Sequence, residues 1–436
     1  MPRTHRSRRP AQHRQQRERP VDGPVLELEV ERIAHGGVAV AHHEGRVVFV
    51  ADAIPGERVL ARVSDAGKAS FWRAETVEVL DASPDRREHV WAEAGVDRAP
   101  EARAGGAEFG HIRMDRQRAL KREVLVDALH RFGRLEGDVD VDVERVDAAL
   151  APDADPETGA GWRTRVRLHV DDEGRVGPYA ARSHRVIPVT DLPLAVEELR
   201  RLAPLGTRMP GAGSIDLIAP SAGDAAIVVD QSGGGPLVHE VVEGREFQLD
   251  RGGFWQVHRG AAATLSRAVR ALVDGDRFDP RAANLDLYGG VGLLAAAVGD
   301  RFGETVRITS VEADPRATDH AAANLTDWIG ARAETGRVDR WLAELDATAD
   351  RALRDRLAAA TIVLDPPRSG AGREVAERLV ALKPAQLVYV ACDPVALARD
   401  VGTFREHGYE LEEVRAFDLF PNTHHVEAVA RLAAIV

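Results

Sequence analysis

The sequence holds one cysteine in 436 residues, which excludes a disulfide framework and any all-cysteine zinc or iron–sulfur site. No apolar run approaches the roughly 20 residues that span a bilayer. The basic N-terminus has no apolar segment behind it of the kind a secretory signal carries. Lysine is almost missing too: it occurs only at Lys68, Lys121 and Lys383, so arginine supplies nearly all the positive charge. We read that as a compositional habit rather than a functional mark. No internal repeat is present. With 44% hydrophobic and 29% charged residues the balance is globular. A chain of 436 residues exceeds the usual single core, so two or three domains are expected. A cytoplasmic enzyme of several domains is the class that remains.

The net charge of -12 does not suit a protein coated for nucleic acid, but the charge is unevenly placed. Seven arginines against Glu18 alone give the first twenty residues a side-chain charge of +6, leaving -18 for the rest. A basic arm on an acidic body suits tethering to a phosphate backbone, and a solvated tail is the other reading.

After this arm, Val25 to about Leu80 reads as five or so short strands punctuated at Gly36-Gly37, Glu44-Gly45 and Pro55-Gly56. That spacing predicts a small closed barrel. Such barrels often bind nucleic acid, with Lys68, Phe71, Trp72 and Arg73 as a stacking-plus-charge surface, or they serve structure alone. His111 to about Arg134 has a helical apolar stripe, and 135–160 is acidic and loop-like. Strand patterns recur at Arg163 to Val170 and Ala225 to Val229, and residues 232–236 read as a turn or linker. From about 250 the texture changes to alternating helix and strand, with strands at Asn284 to Tyr288, Arg307 to Val311, Thr361 to Leu364 and Leu387 to Ala391. That alternation predicts a parallel, doubly wound sheet.

Ligands of such sheets sit beyond the carboxyl ends of the strands, so the residues there are informative. The first strand runs into Tyr288-Gly289-Gly290-Val291-Gly292, where glycine lets a ligand approach the backbone at a helix start. The second ends in Glu312, a carboxylate placed to accept both hydroxyls of an adenosine ribose. The loop is not a full GxGxxG, which disfavours a dinucleotide and fits S-adenosylmethionine. The third strand runs into Asp365-Pro366-Pro367-Arg368, a rigid turn that holds a carboxylate and carbonyls at the edge of a planar ligand. The fourth ends in Cys392-Asp393-Pro394. A thiolate at that edge could add to C6 of a pyrimidine and make C5 nucleophilic enough to take a methyl group. A base must then remove the C5 proton. Glu427, entering the apolar run Ala428 to Leu432, is the candidate, with His424 and His425 as runners-up.

Taken in order, Phe254-Trp255-Gln256-Val257-His258, Asp286 to Gly292, Asp365-Pro366-Pro367-Arg368, Cys392-Asp393-Pro394 with Ala398-Arg399-Asp400, and His425-Val426-Glu427 resemble the RNA (uracil-5-)-methyltransferase family. The barrel region, through Gly36-Gly37-Val38-Ala39 and Ile54-Pro55-Gly56-Glu57, resembles a TRAM domain. The resemblance implies that Cys392 is the nucleophile, that Glu427 is the base, and that Gln256, Tyr288, Glu312 and Asp365 contact S-adenosylmethionine. Two departures stand out. Gly289 occupies a position where the family often has a cysteine that is not catalytic. Ala104-Gly105-Gly106-Ala107 stands where many ribosomal members have Cys-Gly-Gly-Cys, so no iron–sulfur cluster can form there.

The expected organisation is a basic tail (1–21), a TRAM-like β-barrel (22–83), an α+β middle domain that positions RNA (84–240) and a Rossmann-like methyltransferase domain (241–436). The expected activity is methylation of uridine C5 in structured RNA, ribosomal in preference to transfer RNA, by a monomer that needs no metal. A cytosine-5 methyltransferase shares the thiolate logic but would be expected to have a second cysteine. An RNA-binding protein with a vestigial methyltransferase site is the non-enzymatic alternative.

Overall fold

In the computed structural model, which describes residues 23–68, 70–230 and 234–435, the alternating stretch after residue 24 closes into a five-stranded barrel. The arm expected at 1–21 lies outside the described residues. The strands are β1 (Val25–Ala34), β2 (Val38–His43), β3 (Arg46–Ala51), β4 (Arg58–Asp65) and β5 (Phe71–Asp81), in the order β1-β2-β3-β5-β4. Alternation sends Val48, Val50, Val59 and Ala61 inward to meet Leu28, Val30 and Ala41. The same alternation divides the surface expected at 68–73. Phe71 and Arg73 share the outer face with Phe49 of the parallel-paired β3, while Trp72, opposite the inward Val48, packs on the barrel core. Three consecutive strand residues cannot share one face. The outer group is compact: the rings of Phe49 and Phe71 lie 5.4 Å apart, with Lys68 Nζ 4.7 Å from the Phe71 ring.

Helix α1 (Met114–Arg131) starts later than its apolar stripe suggests. A bridge between Arg86 and Ile112, and a hydrogen bond from Arg113 N to Asp85 O, hold the preceding residues extended. Next in the chain come the short β6 (Val143–Glu144), then β7 (Arg165–Val170), β8 (Val176–Gly177), α2 (Glu197–Leu202), β9 (Ser214–Ile218) and β10 (Ala226–Val229). Strands β7 to β10 form an antiparallel sheet in the order β10-β9-β7-β8. Ala104 and Ala107 are buried in its core with Trp91 and Trp162, and Ala104 N and Gly105 N donate to the carbonyls of Glu93 and Tyr179. A hairpin, β11 (Leu237–Val242) and β12 (Arg245–Asp250), leads onward.

The remaining elements alternate: α3 (Ala261–Leu272), β13 (Asn284–Leu287), α4 (Leu293–Phe302), β14 (Arg307–Glu312), α5 (Pro315–Asn324), β15 (Gly330–Thr335), α6 (Val338–Thr348), α7 (Arg351–Ala358), β16 (Thr361–Leu364), α8 (Arg373–Leu382), β17 (Gln386–Ala391), α9 (Pro394–Glu406), β18 (Tyr409–Phe417) and β19 (Glu427–Ala434). They build an eight-stranded sheet in the order β15-β14-β13-β16-β17-β19-β18-β6. Its strands β15 to β17 are parallel, but β19 runs antiparallel to both neighbours, so the sheet is mixed rather than parallel throughout. An apolar run such as Ala428 to Leu432 fits either direction, and only pairing decides. Strand β6 adds to the far edge beside β18, although 135–160 reads as loop; two residues are too few to make a pattern.

Strands β16 and β17 are buried along their whole length, as sheet strands covered on both faces must be. Helices α3 and α4 cover one face, and α1, α8 and α9 the other, with Leu125 and Leu129 of α1 in the same core as Val401 and Phe404 of α9. The strand order reverses between β13 and β16, which places a ligand crevice beyond their carboxyl ends. No helix among the described residues is long and apolar enough to cross a membrane.

Candidate active site

A cleft of about 840 Å³ opens at that reversal point, lined by Gln256, Tyr288, Glu312, Asp365, Cys392 and Glu427 together. Six positions spread over 172 residues of sequence therefore meet in one cavity.

Beyond β13 the backbone turns through left-handed conformations at Tyr288 (φ 61°), Gly290 (φ 55°) and Gly292 (φ 88°). A Cβ added at Gly290 would meet nothing within 4 Å, so the loop borders open cleft there. At Gly289 the reverse holds, because a side chain would collide with Ser310 Oγ and Asp286 Oδ2. Glu312 at the end of β14 braces the loop, accepting from Gly290 N (3.1 Å) and Asp314 N (2.8 Å). Gln256 follows Trp255, whose ring is buried beside Phe247, and the segment is tied down where Thr164 N donates to Val257 O at 2.8 Å.

Asp365 leaves β16 with its backbone N donating to Leu287 O (3.1 Å). The far end of its proline turn is held by Asp400, which accepts from Ala371 N at 2.7 Å and from the Tyr389 hydroxyl at 2.6 Å. Asp400 belongs to α9, so the helix that starts just after Cys392 also fixes the Asp-Pro-Pro turn. Cys392 continues β17, and Glu427 begins β19. Ala391 pairs with Ala428 in that antiparallel ladder, so the next rung sets Cys392 opposite Glu427. Only an antiparallel strand can bring its first residue to the carboxyl edge of the sheet. The thiol and the carboxylate are thus cross-strand neighbours.

The loop before Glu427 is built on Asn422, a buried residue at φ 66°. Its side chain accepts from Arg87 Nη2 (2.6 Å) and Gln117 Nε2 (3.0 Å) and donates to the carbonyls of Thr158 and Gly159. Lys121, buried on α1, donates to Asp418 (2.5 Å) and to Phe420 O (3.0 Å). His425 lines the cleft, whereas His424 does not and packs behind Glu108, with Nδ1 3.6 Å from its carboxylate. Motif reading did not single out Arg163 and Glu108, which also line the cleft from the middle of the chain. Neither stands at a strand end of the large sheet, so nothing local marks them.

Electrostatically the floor of the cleft is a set of stranded acids. Burial pushes Asp365 up to about 7, helped by Asp286, which burial itself raises to about 6. Burial and then Asp365 raise Glu427 well above the ordinary carboxylate range, with Arg368 opposing. Burial, Glu427 and Asp365 together push the Cys392 thiol up to about 12, again against Arg368. Neither Asp365 nor Glu427 has a side-chain hydrogen-bond partner among the described residues. Burial brings His425 down to about 3, with His424 and Arg368 adding to the shift, so its imidazole is neutral. Among the described residues no group of three or more His, Cys, Asp or Glu is placed to hold a metal ion.

A model of the tRNA (uracil-5-)-methyltransferase family matches residues 343–434, the stretch that holds Asp365, Cys392 and Glu427. The chain is 38% identical to an uncharacterized RNA methyltransferase of Streptomyces avermitilis, over 94% of this chain and 98% of that one. It is 31% identical to a 23S rRNA (uracil(1939)-C(5))-methyltransferase of Alkalilimnicola ehrlichii, with 93% and 96% covered. Among solved structures, the tRNA (uracil-54, C5)-methyltransferase of Pyrococcus abyssi in complex with S-adenosyl-L-homocysteine matches with a TM-score of 0.64. The match covers 93% of this chain and 99% of that one at 20% identity, a likeness of fold.

Proposed function

This chain belongs to the RNA (uracil-5-)-methyltransferase family, and we propose that it methylates C5 of a uridine in structured 23S rRNA through a covalent Cys392 adduct, with S-adenosylmethionine as methyl donor. The observation that carries this reading is the cross-strand placement of Cys392 and Glu427 in a cleft where Asp365 and Glu427 have no side-chain hydrogen-bond partner among the described residues. The ribosomal target rests on the 31% identity to a 23S rRNA enzyme over nearly both whole chains.

The cleft fits the cofactor. Open space at Gly290 allows a ligand against the backbone, and Glu312 is a carboxylate beside it for ribose hydroxyls. Gln256, Tyr288 and Asp365 complete the proposed cofactor-contacting set. The raised carboxyls of Asp365 and Glu427 favour a cation or an N–H donor, and a sulfonium and the N3–H of uracil supply one of each. When bound, S-adenosylmethionine contributes an electrophilic methyl group.

The protein's residues supply the rest. Cys392 forms a bond from sulfur to C6, and the electron pair of the C5–C6 double bond moves toward C5 and O4. The thiol holds its proton until the uracil arrives, since its pKa is about 12. The Asp365 carboxylate takes that proton and returns it to sulfur when the C6–S bond breaks, and Glu427 acts as base only in its ionised form. Arg368 favours the ionised forms of both Cys392 and Glu427. Once C5 is methylated, Glu427 removes its proton, the C5–C6 double bond reforms and the C6–S bond breaks. A carboxylate made more basic by burial suits that abstraction. The target base has to leave its stack to reach this cleft, so a uridine in a loop is the substrate form.

Nucleoside mapping of RNA from a deletion strain tests the assignment. Loss of one or more 5-methyluridines from 23S rRNA is the expected result. Loss from transfer RNA instead would move the target, loss of 5-methylcytosine would change the base, and no change would remove the activity.

A further inference from the structure

The barrel touches the catalytic loops directly. His35 and Gly37, in the turn between β1 and β2, reach loops of the large sheet, and His35 Nε2 lies 2.8 Å from Oδ2 of Asp393, 358 residues further on in the chain. Asp393 follows Cys392 and spends its other oxygen on the start of α9, with Oδ1 accepting from Val395 N (3.0 Å) and Ala396 N (2.9 Å). One carboxylate therefore joins the barrel to the helix that begins at the nucleophile. Two residues along the turn, Gly37 (φ 71°) lies flat against His424: an added Cβ would come within 2.6 Å of the histidine Cβ. The seam between turn and loops, bordered by Cys392, Asp393, Lys121 and His424, leaves about 10 Å³, no more than one water fills. Burial raises Asp393 but the His35 hydrogen bond and the α9 amides outweigh it, so its carboxyl sits low and stays charged. On the far side His424 faces Glu108, which burial raises but His424 brings down to about 2.

We infer that the β1–β2 turn is a positioning element of the active site: His35 seats Asp393, and with it the Cys392 loop, while Gly37 seats His424. The barrel then acts on turnover as well as on RNA affinity. This rests on the proposed role of Cys392. His35 touches no reacting atom, and its effect passes through Asp393. A nucleophile displaced by a fraction of an ångström loses much of its advantage, since about 1 Å of misplacement can cost on the order of 100-fold.

The test uses the full-length chain with His35→Ala and His35→Gln, the second keeping a donor near the reach of Nε2. The expected result for His35→Ala is a kcat about 10-fold lower and slower trapping of 5-fluorouridine RNA, with RNA Kd and melting temperature within error of wild type. His35→Gln should recover most of the rate. Amide exchange provides a second readout that needs no RNA: the peptide spanning 391–397 should exchange faster in His35→Ala, while β5 and β13 exchange as in wild type. Wild-type kcat and exchange in His35→Ala overturn the inference. So does a loss that His35→Gln shares in full, because that makes the contact merely structural. If wild type itself methylates uridine but is never trapped, the Cys392 reading fails, and the exchange result still decides whether His35 seats the loop.

Discussion

The barrel and the large sheet put their chemistry in opposite places. In the barrel the exposed cations and rings gather on an outer face, where Lys68, Arg73, Phe49 and Phe71 form a patch of cations over rings. In the large sheet the central strands β16 and β17 are covered on both faces, so its cleft-facing polar groups gather at the strand ends. The difference follows from burial. A small barrel with one apolar interior exposes every second residue, which suits a broad ligand such as a nucleic-acid strand. A sheet buried on both sides leaves a narrow crevice, which suits one extruded base and a small cofactor.

The sharpest way to break this comparison is at the strand ends. Cys392→Ala should retain RNA and cofactor binding yet lose more than about 10³-fold in methylation, since no neighbour replaces a positioned thiol. Glu427→Gln should add and methylate but not release, giving a protein–RNA band on a denaturing gel that needs both Cys392 and S-adenosylmethionine. Normal turnover by Glu427→Gln would place the base elsewhere, with His425 next in the cleft.

A smaller effect sharpens the cleft's charge. Asp365 titrates at about 7, so raising the pH from 6 to 8 ionises it. Cationic S-adenosylmethionine should gain affinity over that range relative to neutral S-adenosylhomocysteine, by several-fold in calorimetry, and Asp365→Asn should flatten the trend. The sign for stability is opposite. The native chain keeps a proton on Asp365 that the unfolded chain releases near 3.8, so this group's contribution to stability falls as pH rises from there to about 7.

The smallest effect belongs to the barrel face. Phe71→Ala should weaken RNA binding by about 1 kcal/mol through lost stacking. Arg73→Ala should reduce the slope of log K against log salt by about 0.9 if it neutralises one phosphate. An unaltered slope in Arg73→Ala would take that arginine off the RNA path.

Much of this architecture is legible in the residue order because its signals are local. Alternation marks the barrel strands, and the turns at Tyr288-Gly289-Gly290, Asp365-Pro366-Pro367 and Cys392-Asp393-Pro394 each follow an apolar strand directly. What stays hidden depends on partners distant in the chain. The direction of β19 is set by its ladders with β17 and β18, and β6 exists because β18 has a free edge. Arg163, Glu108 and His35 enter or brace the site from segments whose own patterns say nothing of it. Even the reading of 68–73 as one surface fails for a pairing reason, since β3 decides which side Trp72 faces.

The seat of β19 also constrains how the molecule can come into being. Both its neighbours precede it in the chain, so Glu427 arrives beside Cys392 only when β19, alone or as a hairpin with β18, pairs with β17. On the proposed mechanism, a chain in which β19 has not docked would possess a thiol, a glycine loop and an Asp-Pro-Pro turn, but not the base that takes the C5 proton. Such a half-built enzyme could attach itself to RNA and never let go. The β17–β19 pairing spans more of the chain than the β18–β19 hairpin beside it, so it closes the larger loop, and on the proposed mechanism it is the step that turns a potential trap into a catalyst.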